Sequence, residues 1–240
     1  MDLTINKMEN QKQVIDALAI IQKAFPEYSE LIQSFIKGVA QKPKIKNFKT
    51  PILIIAGGAS FMNETKVIEY HNILLKLMSD FKGTIISGGT TAGIPGLVGQ
   101  VKTELEQNNK VEFDLLGYLP LNLPDNVCKS QGYDYFFETN SNDFSLLEVM
   151  NYWMDIILTG NEPKNVILIG IDGGAISLLE YKIALLLKAK VCLVEGSGRA
   201  ADELLRMKDQ YNYQNLFEIT DMQLNDKSLL TILHKTNNFQ

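Results

Sequence analysis

Two kinds of hydrophobic pattern divide the chain. Between residues 8 and 39 apolar side chains recur at helical spacing. Val14, Ala17, Leu18, Ile21, Ala24 and Phe25 form one stripe, and Tyr28, Leu31, Ile32, Phe35, Ile36 and Val39 form a second. Pro26 separates them and suits the first turn of the second helix. From residue 51 onward, short continuous apolar runs take over: Ile52–Ala56, Thr84–Ser87, Phe113–Tyr118, Val166–Ile171 and Val191–Val194. Such runs belong to strands buried on both faces of a sheet. Tyr135–Glu138 and Phe217–Thr220 read as shorter strands. Helical segments lie between them at 64–79, after residue 96, and at 144–158, 177–188 and 200–207, with a short terminal helix expected at 228–234. Ser60 or Asn63 would cap the first of these.

Strands alternating with helices predict an α/β domain with a doubly wound, mostly parallel sheet. It occupies residues 50–240, and the N-terminal helical pair with its linker occupies 1–49. The stretch QKPKIKNFKT at 41–50, with four lysines and a proline, reads as an exposed linker. The helical pair either covers the main domain, or mediates oligomerisation or contact with a partner.

Four strands run into glycine turns: Gly57-Gly58-Ala59, Gly88-Gly89-Thr90-Thr91 followed by Gly93, Asp172-Gly173-Gly174-Ala175, and Gly196-Ser197-Gly198-Arg199. In a parallel doubly wound sheet these turns share the carboxyl edge, where ligands bind. Glycine lets the backbone approach a ligand and adopt positive φ. The last turn opens a helix, whose first N–H groups and Arg199 would together hold an anion. Arg199 and Arg206 are the two arginines among 23 basic residues. The rival reading of Arg199 is a structural partner of Glu195, Asp202 or Glu203. The long stretch Leu119–Tyr133 is a candidate to complete a pocket.

A net charge of −5 weighs against general nucleic-acid binding. His71 and His234 are the only histidines, and Cys128 and Cys192 lie far apart, so the sequence predicts no metal site and no disulfide framework. Cys192, inside an apolar strand, reads as a buried thiol. The polar N-terminus lacks a signal-peptide core, and no apolar run approaches the ~18 residues of a membrane span. A cytoplasmic protein with no membrane association and no resident cofactor is expected.

GGTTAGIPGLVG (Gly88–Gly99) and DGGAISLLE (Asp172–Glu180) resemble the SLOG superfamily, which includes the LOG-type phosphoribohydrolases. GSGRAAD (Gly196–Asp202) looks most like the version at the N-terminus of melastatin-type TRP channels. The resemblance spans about residues 51–205 and implies a Rossmann-like fold. It also implies a sensor module for a small nucleotide-derived ligand, ADP-ribose-like or a cyclic nucleotide signal, of the kind found in prokaryotic defence systems. The effector would lie on another chain or act through a homo-oligomer. The ligand-binding residues would be Gly57, Gly58, Ala59, Gly88, Gly89, Thr90, Thr91, Gly93, Asp172, Gly173, Gly174, Ala175, Gly196, Ser197, Gly198, Arg199 and Asp202. In LOG-type enzymes a Pro-Gly-Gly-x-Gly-Thr-x-x-Glu motif supplies a catalytic acid. Here Asp172, Ile176 and Ser177 replace its proline, third glycine and threonine, while Glu180 keeps the acid's place. The arginine that those enzymes carry on the preceding helix is absent from residues 144–160. The alternative to a sensor is therefore a phosphoribohydrolase with Glu180 as its catalytic residue.

Overall fold

The computed structural model describes residues 2–39, 47–59 and 64–220. Ser60, Asn63, the lysine-rich 41–46 and the helix expected at 228–234 lie outside them. Seven strands form one sheet: β1 (Ile52–Gly57), β2 (Lys82–Ser87), β3 (Glu112–Pro120), β4 (Tyr135–Thr139), β5 (Val166–Ile171), β6 (Lys190–Val194) and β7 (Leu216–Ile219). Their order is β4-β3-β2-β1-β5-β6-β7, and every pairing is parallel. The doubly wound Rossmann-like architecture expected from the alternation is present. The order reverses direction between β1 and β5, the switch point where such sheets open a crevice.

The continuous apolar strands have the expected cause. Alternate residues of β1 enter separate cores, Ile52, Ile54 and Ala56 on one face and Leu53 and Ile55 on the other. Helices α3 (Glu64–Ser79) and α4 (Gly93–Gln107) cover the second face. Helices α5 (Leu146–Leu158), α6 (Ala175–Leu186) and α7 (Arg199–Arg206) cover the first, and α8 (Lys208–Tyr211) follows α7. Cys192 lies inside the α3–α4 core, where burial pushes its thiol up to about 12.

The N-terminal pair, α1 (Asp2–Ala24) and α2 (Ser29–Val39), is joined by a 3-10 turn at Pro26–Tyr28. It covers the domain through α5 and α6. Val14, Leu18, Ile21 and Ile32 are fully buried in the same core as α5 and α6, whereas Ala24 of the expected stripe is exposed. The Asn10 side chain donates to the Leu158 carbonyl at 3.1 Å and ties α1 to the end of α5.

Candidate functional site

The ends of β1 and β2 and the turn after β5, with α5 and α6, line an open cavity of about 510 Å3. Its walls include Gly57, Gly58 and Ala59 after β1, Ser87, Gly88 and Thr90 after β2, and Gly174 and Ala175 at the start of α6. Close approach explains the first glycine of the β1 turn, because a Cβ on Gly57 would meet the Ile171 carbonyl oxygen at 2.5 Å. Thr90 is 2% exposed, and its Oγ1 has no hydrogen-bond partner. A buried hydroxyl left without a partner costs about 1–3 kcal/mol. Helix α6 has Gly174 as its N-cap and no side-chain cap, so the N–H groups of its first turn face the cavity rim.

The turn after β6 behaves differently from its sequence reading. Its amide donors are taken by the chain itself: Gly196 and Gly198 donate to the Asp202 carboxylate at 2.8 and 3.1 Å. Ala200 and Ala201 donate to the Gly173 and Asp172 carbonyls at 3.2 and 3.1 Å. The Ser197 hydroxyl donates to the Val194 carbonyl and accepts the Asp172 amide at 2.8 Å. The expected anion nest at the start of α7 is thus filled by Asp202 and by the neighbouring turn. Gly196, Ser197, Gly198 and Asp202 fasten that turn and do not line the cavity.

Arg199 does line it, held to Asp172 by Nε to Oδ1 at 2.8 Å and Nη2 to Oδ2 at 2.6 Å. None of the three carboxylates expected to pair with Arg199 is this partner. Gly58 leaves room for the pair, since a Cβ there would lie 2.8 Å from Asp172 Oδ2. Asp172 and Gly173 stand behind the lining. Gly89, Thr91 and Gly93 also stand behind it. Gly89 packs on Leu119, Thr91 donates its amide to the Cys128 carbonyl at 3.0 Å, and Gly93 starts α4 at φ +60°. Residues 119–133 contribute nothing to the lining. Ser130 donates its amide to the Gly89 carbonyl, and Tyr133 its hydroxyl to the Pro95 carbonyl, which staples this stretch behind the β2–α4 turn.

Glu180 does face the cavity, and its Oε1 accepts from the Tyr152 hydroxyl at 2.8 Å. Part of the residue reaches the surface, but the carboxyl sits deep enough that burial pushes it up to about 7. Helix α5 supplies Tyr152 at this carboxyl, and no arginine.

The sequence reading missed the α5 wall. Ser145 caps α5, and Glu148 closes a capping box with it: the Ser145 amide donates to Glu148 Oε2 at 2.7 Å. Thr139 donates to the other oxygen, Oε1. Glu148 is buried and lines the cavity beside Val149, Tyr152 and Phe144, with Tyr118 from β3. The spacing Ser145-x-x-Glu148 before an apolar run was the available signal.

The molybdenum cofactor carrier protein of Chlamydomonas reinhardtii superposes with a TM-score of 0.54 at 15% identity, covering 77% of this chain and 98% of that one. The molybdenum cofactor binding protein of Rippkaea orientalis gives 0.53 at 17% identity, covering 76% and 97%. The structural-genomics protein TM1055 gives 0.54 at 18% identity, covering 77% and 98%. The fold is the one these proteins share. No protein-family profile matches the chain, and no curated protein matches it by sequence. Among the described residues, no helix is long and apolar enough to cross a membrane, and no cluster of His, Cys, Asp or Glu is arranged to hold a metal.

Proposed function

We propose that this chain binds a small nucleotide-derived ligand in the cavity at the β1/β5 switch point. The observation that carries the reading is Thr90, a residue of the cavity wall whose buried hydroxyl has no partner. A ligand that accepts or donates one hydrogen bond there satisfies it. The uncapped start of α6 suits a phosphate, and the apolar and aromatic lining suits a base. Gly57, Gly58, Gly88 and Gly174 let the backbone meet the ligand directly. Solved proteins of this fold whose names record cofactor carriage support small-molecule binding.

In the finer form of this reading the chain is a cytoplasmic sensor, in a defence or other signalling system. Its response then passes to an effector on another chain or through self-association. The test is a melting-temperature screen against AMP, ADP-ribose and cyclic ADP-ribose, with mass spectrometry of small molecules that copurify. A rise of several degrees with one of them, lost in Thr90→Val, supports the reading. No shift with any of them, and no copurifying nucleotide, removes it.

One observation favours hydrolysis as the second reading. Glu180 is a carboxyl pushed to about 7 inside the cavity, as a general acid needs. Release of free base from nucleoside monophosphates, abolished in Glu180→Gln, would select the phosphoribohydrolase.

A further inference from the structure

Two acidic residues line the cavity, Glu148 from α5, whose carboxylate also holds Ser145 and Thr139, and Glu180 from α6. Among the described residues lining it, Arg199 is the single basic side chain, and its guanidinium already lies against Asp172. Glu148 and Tyr152 are four residues apart on α5, so they occupy one helical face. The Tyr152 hydroxyl reaches Glu180 at 2.8 Å, so this face of α5 touches the second acidic residue. The Tyr118 ring meets the Tyr152 ring edge-on, with centroids 5.8 Å apart, and Phe144 joins the same lining.

Aromatic side chains flanked by carboxylates attract a flat, delocalised cation. The ring quadrupoles and the negative charges act in the same direction, and a cavity screens them less than water does. The lining also holds features of the opposite preference. They are the Thr90 hydroxyl, 2% exposed and without a partner, and the uncapped first turn of α6, which suits an anion. A ligand that satisfies both sets carries a phosphate and a positively charged ring.

We infer that the cavity selects nucleotides whose ring is itself a cation, of the N-ribosylated pyridinium class, over nucleotides with neutral rings. The inference rests on the nucleotide-binding reading and narrows it. Burial has already weakened Glu180 as an acid, and a cationic ring beside it would restore the favourable surroundings that its charged form lost to the protein interior.

Nicotinamide mononucleotide in its oxidised and reduced forms makes the test one of charge. The two share ribose, phosphate and ring size, but only the oxidised ring is a cation. Calorimetric titration of the full chain with both forms, and with AMP, is expected to give the oxidised form an affinity at least about tenfold above the reduced one. Glu148→Gln keeps an acceptor for the α5 cap, and Glu180→Gln keeps one for Tyr152. Each variant, checked by circular dichroism, should reduce the ratio, and the double variant should bring it towards one. If Glu148→Gln fails to fold, Glu180→Gln alone decides, by the same fall in ratio. Equal affinity for the two forms in the unmodified chain would overturn the inference while leaving the nucleotide reading in place. So would a preference that survives both substitutions. Binding of none of the three would overturn the inference, and the nucleotide reading falls with it only if ADP-ribose and cyclic ADP-ribose fail to bind as well.

Discussion

Arg199 and Asp172 hold each other by two hydrogen bonds while both backbones stand at positive φ, 30° and 58°. Left-handed backbone at a residue other than glycine costs on the order of 1–3 kcal/mol, and it persists where surrounding structure enforces it. Here the enforcement comes from Ser197 and from the amides of Ala200 and Ala201, which draw the two turns together.

Arg199→Ala should therefore cost little. The side chain is 47% exposed, and half-exposed ion pairs contribute about 1 kcal/mol or less. Arg199→Gly should recover part of that loss by relieving the positive φ. Urea denaturation of the two variants checks the order; a loss above about 3 kcal/mol for Arg199→Ala would mean that the pair holds the turns together.

Thr90→Val replaces the unpartnered hydroxyl with a methyl of similar size. Stability without ligand should stay the same or rise by up to about 1 kcal/mol, since no hydrogen bond is lost. Affinity for AMP should fall. Thermal unfolding with and without AMP reads both effects from one sample.

The ligand-free protein should lose stability as pH rises from about 4.5 to about 7. Glu180 goes from an ordinary 4.5 to about 7 on folding, so the native state binds more protons across that window. The groups around it are Tyr152 and Tyr181, with Glu148 across the wall and Asp172 paired to Arg199. Both tyrosines are raised above 10 and stay neutral there. Melting temperature against pH should flatten over this interval in Glu180→Gln, and an unchanged slope would assign the decline elsewhere.

Gly93→Ala should be severely destabilising. Its φ is +60°, and an added Cβ would fall on the Gly58 carbonyl and the Ala59 backbone. A loss of about 2 kcal/mol or more follows from strain and overlap together. Gly38→Ala is the control, because nothing lies within 4 Å of a Cβ there and alanine favours the helix by about 1 kcal/mol. Chemical denaturation of both variants makes the comparison.

Leu18→Ala removes a fully buried side chain from the core that α1 shares with α5 and α6, and should cost about 2–5 kcal/mol. A chain beginning at residue 47 should expose that apolar surface and aggregate. Denaturation of the first and light scattering of the second measure these outcomes.

The alternation of apolar runs and helical stripes made the sheet readable, because burial on both faces removes polar residues from whole strands such as Val166–Ile171. The glycine turns pointed to the edge that carries the cavity for the same local reason: neighbouring groups crowd Gly57 and Gly88 and leave no room for a Cβ. The α5 wall was harder to see. Tyr118 and Tyr152 are ordinary members of a strand and a helix, and nothing local marks them as neighbours 5.8 Å apart. The Gly196–Asp202 turn misled in the opposite direction. Its composition suits an anion, but the occupants of its amides come from within the turn and from residues 172 and 173, and only the tertiary pairing of β5 with β6 brings the latter there.

That pairing sets when the site can come into being. Asp172 and Ser197 are 25 residues apart, and their hydrogen bond requires β5 and β6 to be in register first. That bond can form only after α6 and β6, the two elements between them, have folded back onto β5. A refolding chain should therefore acquire helical signal before the bond between Asp172 and Ser197 fastens the two turns.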